Sequence, residues 1–171
     1  MRLLPPFTTR SLRHERMSIV KVKEYLRRFG YEDRIIEPEE PTPTVESAAK
    51  ALGTAPQNIA KSLAVALKDR DIIIVTAGDV KLDNALFKAC FHEKAHFIPF
   101  EDTENRIGHA PGGVCPFAIN PGIKVYLDES LKRFDTVYPA AGNDRSGVRL
   151  TPEELYKLSA AEGWISVTKL K

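Results

Sequence analysis

The chain has 171 residues, of which 43% are hydrophobic, 28% charged and 8% aromatic, enough apolar material for one buried core and a profile that excludes a disordered or fibrous polypeptide. The formal charge of +2 comes from 25 Lys and Arg against 23 Asp and Glu. Arg2, Arg10, Arg13 and Arg16 crowd the first 16 residues against the single acid Glu15, so the remainder carries 21 basic and 22 acidic residues, and this neutral body argues against a broad nucleic-acid-binding face.

No apolar run nears the roughly 18 residues of a membrane-spanning helix, and Ile72–Val75 is strand-sized. Cys90 and Cys115 have neither CxxC spacing nor His/Cys ligand spacing around them, which predicts no metal site and fits a reducing, cytoplasmic setting. Residues 1–16 have the Arg-rich, acid-poor composition of a transit peptide but lack the apolar core of a secretory signal. They are expected to be a flexible basic extension, with the domain spanning 17–171 and Met17 as a native start.

Ser18 is expected to cap a helix over Ile19–Phe29, whose apolar positions Ile19, Val22, Leu26 and Phe29 recur at helical spacing before Gly30. Arg34–Ile36 reads as a short strand, Glu37–Pro43 as a stiff loop, and Thr44 as the cap of a helix Val45–Leu52 closed by Gly53. Lys61–Lys68 and Asp71–Ala77 are two apolar strands around a tight turn. Asp79 is expected to cap a helix Lys81–Cys90, followed by a strand Ala95–Ile98 and a helical turn Asp102–Ile107. Beyond a glycine-rich loop come strand Lys124–Leu127, a helical turn near Glu129–Lys132, and strands Thr136–Tyr138 and Val148–Leu150. The Thr151-Pro152-Glu153-Glu154 capping box then opens a helix to about Ala161, and Trp164–Val167 is a last strand. Strands not separated by regular helical crossovers predict a single α+β domain with a strongly curved, barrel-like sheet, mixed but mostly antiparallel and flanked by helices.

The loop Gly108–Pro116 holds three glycines and two prolines in nine residues. Adjacent glycines let main-chain N–H groups face a cleft unobstructed, which suits a backbone oxyanion site, although a plain connecting loop with awkward turns would use the same residues. Lys61, heading an apolar strand, is either a solvated strand end or one cation held at the mouth of a pocket. Cys115 could act as a nucleophile with His109 as its base, or be a small buried side chain. His92 and His96 stand four apart without a third ligand nearby.

Together, Thr44–Gly53 (TVESAAKALG), Ile59–Leu63 (IAKSL), Thr76–Asp79 (TAGD), Gly108–Phe117 (GHAPGGVCPF) and Ala141–Leu155 (AGNDRSGVRLTPEEL) resemble the YbaK/prolyl-tRNA synthetase-associated domains, the aminoacyl-tRNA editing deacylases. The resemblance runs from about Lys21 to Val167. It implies a free-standing α+β hydrolase, without cofactor or metal, that removes a small wrong amino acid such as Ala, Cys, Ser or Thr from tRNA, commonly tRNA(Pro). The family's lysine matches Lys61 and its GxxxP loop matches Gly112–Pro116, implying catalytic roles for Lys61, Gly112, Gly113 and Val114. Substrate-binding roles are implied for Thr44, Ser62, Gly108, His109, Cys115, Pro116 and Gly142. The implied partners are the acceptor end of aminoacyl-tRNA and a synthetase, with no membrane.

The sequence departs from the cysteine-removing members of that family. Ala140 and Gly147 stand where those members carry a serine and an aspartate, Cys115 where serine is frequent, and Ser62 where threonine is common. The competing reading is a non-catalytic module that binds the tRNA acceptor end or a synthetase; a thiol enzyme using Cys115 is a third.

Overall fold

The computed structural model describes residues 18–171 except Glu40, Pro41 and Pro43. The expected basic extension and the start at Met17 lie outside the described residues. Helix α1 covers 18–28 and buries Ile19, Val22 and Leu26, and Gly30 follows it at φ 79°. Ser18, expected as the cap, is already helical and buried. A single 3-10 turn, Glu32–Arg34, leads into strand β1, Ile35–Ile36.

Helix α2, Val45–Leu52, is the clearest case of local sequence fixing local structure. The Thr44 hydroxyl accepts from the Ser47 N–H while the Ser47 hydroxyl accepts from the Thr44 N–H, and Gly53 takes the left-handed conformation at φ 70° that a side chain would resist. The central hairpin follows as expected. Strands β2, Ile59–Ala66, and β3, Asp71–Ala77, pair antiparallel from Ala60↔Ala77 to Ala66↔Asp71.

The chain then departs from its periodicity. Val80–Leu82 is strand β4, not the start of a helix. Asp83, not Asp79, caps helix α3, Asn84–Phe91, by accepting from the Leu86 N–H. Asp79 instead pairs with Arg133, a long-range partner that no local pattern announces. Strand β5, His96–Phe97, precedes a 3-10 turn and helix α4, Thr103–Ile107. After the glycine-rich loop come β6, Lys124–Asp128; β7, Tyr138–Pro139; β8, Gly147–Val148; helix α5, Pro152–Leu158; β9, Gly163–Ile165; and β10, Thr168–Leu170. The Thr151 capping box forms as expected, but α5 ends at Leu158 rather than Ala161.

The α+β class holds, and the barrel does not. The principal sheet is open, in the order β5-β2-β3-β6-β9 with β7 alongside β2, and none of the described sheets closes on itself. Nor is it mostly antiparallel: β2–β7, β3–β6 and β6–β9 are parallel, while β2–β3 and β2–β5 are antiparallel. The reason is visible in β3, whose residues Ile72 to Val75 are all fully buried. A strand covered on both faces can accept a parallel neighbour reached by a long connection, which alternation along one strand cannot reveal. Ile73 and Val75 join the larger core with Phe117, Val125 and Leu127, while Ile72 and Ile74 join a smaller one with Val65, Phe87 and Val167.

Candidate functional site

A cleft of about 410 Å³ opens between α2, the front half of β2, the tip of the glycine-rich loop and the 140–146 segment. Thr44, Lys61, Ser62, Gly112 and Val114 line it, so five residues expected at the site are brought together from three separated stretches of sequence. The others stand behind this wall. Gly108, His109, Gly113, Cys115, Pro116 and Gly142 support the loops and are not part of the lining.

Strand alternation sorts the β2 side chains. Ala60 and Ala64 belong to the larger core and Leu63 and Val65 to the smaller, so Ser62 shares a face with the first pair and Lys61 with the second. The Lys61 ammonium donates to the Val80 carbonyl at 2.8 Å, and Lys171, whose N–H donates to the Asp79 carbonyl at 3.1 Å, adds a second cation nearby. Burial pushes the Lys61 pKa below the usual lysine range and the Lys171 charge pushes it further, against the pull of Asp79 and Glu46. Among the described residues lining the cleft, Lys61 is the only one of charged type, and its ammonium is turned to the Val80 carbonyl.

The glycine-rich loop is held both by its neighbours and by bonds of its own. Helix α4 ends at Gly108, φ 105°, whose carbonyl accepts from the Lys21 ammonium of α1. A Cβ on Gly113 would lie 2.5 Å from the Gly142 oxygen and 2.7 Å from the Asn143 Cα, so only glycine allows this loop to sit against the 142–143 turn. The Gly113 N–H is committed to the Ala110 carbonyl at 3.0 Å. The N–H groups of Gly112 and Val114 have no partner among the described residues, and both residues line the cleft.

Behind the loop, His109 and Cys115 are both fully buried. The His109 Nε2 donates to the Phe117 carbonyl at 2.6 Å, and this same proton-bearing nitrogen is the one facing the Cys115 Sγ, at 3.5 Å. It therefore has no lone pair with which to take the thiol proton. Burial lowers the imidazole pKa to about 4 and raises the thiol to about 12, so both groups are neutral at neutral pH. This geometry is that of a packed side chain, not of an activated nucleophile. Cys115→Ala is accordingly expected to keep ester hydrolysis within about threefold of the parent, whereas loss of an attacking thiol would remove nearly all of it; single-turnover rates measure the difference.

Several lining residues carry no sequence signal. Ala48 and Leu52 read as the apolar face of a helix, and Asn143 and Ser146 fall in a polar loop where no periodicity marks which side chain turns inward. Ser146 is only 6% exposed. Lys21, one of two lysines on α1, donates to the Gly108 carbonyl, a contact that no local pattern announces.

Comparison with known proteins accords with this arrangement. A family model for the aminoacyl-tRNA editing domain matches residues 39–158, a stretch that contains the whole described lining of the cleft. The chain is 41% identical over 154 residues to the uncharacterized protein YwhH of Bacillus subtilis (strain 168), covering 90% of this chain and 98% of that one. Among solved structures, a proposed trans-editing enzyme for prolyl-tRNA synthetase superposes with a TM-score of 0.81 at 26% identity, covering 98% of this chain and 99% of that one. The hypothetical protein APE2540 gives 0.72 at 26% identity, over 80% of this chain and 91% of its own. The family match thus falls on the residues that build the cleft, and the chain belongs to the aminoacyl-tRNA editing domain family.

Proposed function

We propose that this protein is a deacylase that hydrolyses the ester joining a small non-cognate amino acid to the 3′ end of tRNA, with tRNA(Pro) as the expected substrate. The observation that carries the reading is the pair of N–H groups on Gly112 and Val114, without a partner among the described residues, in a cleft that Lys61 of β2 also lines. An aminoacyl ester is already activated, so the protein has to supply position and charge rather than a nucleophile. The ester carbonyl sits against Gly112 and Val114, whose N–H groups stabilise the oxyanion as water adds to the carbonyl carbon. The vicinal ribose hydroxyl helps deliver that water. The ester C–O bond then breaks, the ribose oxygen takes up a proton, and the free amino acid departs.

Lys61 lies on the opposite face of β2 from Ser62, bonded toward Val80 and away from the loop, which suits contact with the terminal adenosine or its phosphate better than contact with the carbonyl. Because the chain beyond its first 16 residues is nearly neutral, recognition rests on this local contact and on a partner such as a synthetase, in the cytoplasm where tRNA is charged. Incubation with a panel of mischarged tRNAs tests the proposal. Loss of the ester from at least one member is expected. Binding across the panel without hydrolysis would identify a recognition module instead.

A further inference from the structure

Seven phenylalanines fall among the described residues, and five of them are packed. Phe29, Phe87, Phe91 and Phe117 stand in ring pairs, and Phe134 lies under the Arg133 guanidinium and against the larger core. Phe97 and Phe100 belong to no ring pair, no cation contact and neither core among the described residues. At 60% and 72% they are also the most exposed of the described aromatic side chains. Both line the cleft, Phe97 from the edge strand β5 and Phe100 from the start of the 3-10 turn Phe100–Asp102, and no other strongly exposed apolar side chain among the described residues does so. The segment that carries them is fixed. Ile98 between them is buried and its N–H donates to the Ala64 carbonyl of β2 at 3.1 Å, while the Thr103 hydroxyl donates to the Pro99 carbonyl at 3.0 Å.

Apolar side chains scattered singly over a surface need no explanation, but two bare rings on a fixed segment of one cleft mark a contact. Their complement is a ligand with a flat π-face, since an aromatic ring stacks on another better than on a branched chain. The ester proposed for this cleft arrives on such a ligand: the 3′ end of tRNA is single-stranded, and its unpaired bases are free to leave one another and stack on protein rings. Charge fixes which side of the strand meets the rings. Glu101 and Asp102 follow Phe100 directly and both are exposed, so this rim repels phosphates and accepts base faces, with the backbone turned away from it.

We infer that Phe97 and Phe100 form a stacking platform for the unpaired bases at the 3′ end of tRNA, a role that rests on the editing reading above for its ligand. The two rings position the ester without reading the amino acid it carries. Stacking tolerates any base and makes no use of counterion release, so this contact differs in kind from the one proposed for Lys61.

The test measures binding of uncharged tRNA(Pro), whole and with its single-stranded 3′ end removed, to the full chain and to variants of the two rings. The parent is expected to bind the whole tRNA at least tenfold more tightly than the truncated one. Phe97→Ala and Phe100→Ala should each weaken binding of the whole tRNA by about fivefold or more, leave the truncated tRNA unaffected, and leave the salt dependence unchanged. Leucine at either position should behave like alanine and tryptophan like the parent, because a π-face is required and apolar area alone is not. Both rings are largely exposed, so every variant should keep the parental melting temperature. Equal binding of the two tRNAs by the parent, alanine variants that weaken both equally, leucine variants with parental affinity, or a parental dimer that the alanine variants dissociate would each overturn the platform. Uncharged tRNA keeps this result separate from catalysis. Cleavage of a mischarged tRNA without the binding pattern would overturn the platform alone, and the binding pattern without cleavage of any ester would overturn the editing reading while supporting the platform.

Discussion

Replacing Lys61 by alanine should lower deacylation of a susceptible mischarged tRNA by about 100-fold or more, the scale on which one well-placed electrostatic contact acts in a transition state. Stability should move by no more than about 1 kcal/mol, because the side chain is half-buried and gives up one hydrogen bond to the Val80 carbonyl. Two further readouts separate a functional cation from a structural one. If the ammonium meets a phosphate, the slope of log binding constant against log salt should become shallower by about 0.7. The cation is also lost as pH rises through a pKa that burial and Lys171 hold below the usual lysine range. After subtraction of spontaneous hydrolysis, the alkaline limb of the parent should therefore fall earlier than an ordinary lysine would allow, and the limb should vanish in Lys61→Ala. A variant with near-normal turnover would remove Lys61 from the mechanism.

Gly113→Ala is expected to be nearly as damaging, by a different route. The new methyl would approach the Gly142 oxygen to 2.5 Å and the Asn143 Cα to 2.7 Å, both main-chain atoms that cannot swing aside. The two loops must separate, displacing the Gly112 and Val114 donors by a fraction of an ångström or more. Misplacement on that scale costs about 100-fold in rate, and the forced overlap about 1–3 kcal/mol in stability. Gly112→Ala is the informative contrast. There the nearest atom to a new Cβ is 3.7 Å away, so space is ample, but φ is 90° and the strain is conformational. A Gly113→Ala protein with parental kinetics and melting temperature would mean that the loop contact does not hold the donors in place.

Local chemistry was legible wherever the residues that decide a structure are neighbours in sequence. Thr44 with Gly53, Thr151 with Glu154, and the apolar run within Lys61–Lys68 before its tight turn each carry their own instructions. The misassigned helix start at Lys81 has the opposite origin: Asp79 has the composition of a cap, but Arg133, 54 residues away, holds its carboxylate. The parallel pairing of β3 with β6 is equally invisible, since it joins segments about fifty residues apart. At the site, the Gly112–Val114 stretch stood out by its adjacent glycines, whereas residue type left Lys61 open between a solvated strand end and a pocket cation, and the family resemblance singled it out. Ser146 did not stand out, because a serine in a polar loop gives no sign of which way it faces, and its burial depends on how α2 and the 140–147 segment meet.

Helix α1 touches the rims of both site loops: Lys21 holds the Gly108 carbonyl, and the Ser18 carbonyl lies so close to Gly142 that a Cβ there would be 2.8 Å from it. This brace lies wholly upstream of residue 39, where the family match begins, and β9, which completes the principal sheet beside β6, lies wholly downstream of residue 158, where it ends. The stretch that the family model matches and the stretch that folds as a working unit thus have different borders. Transplanting 39–158 alone into another protein would carry the recognisable motifs but leave behind the parts that keep them in register.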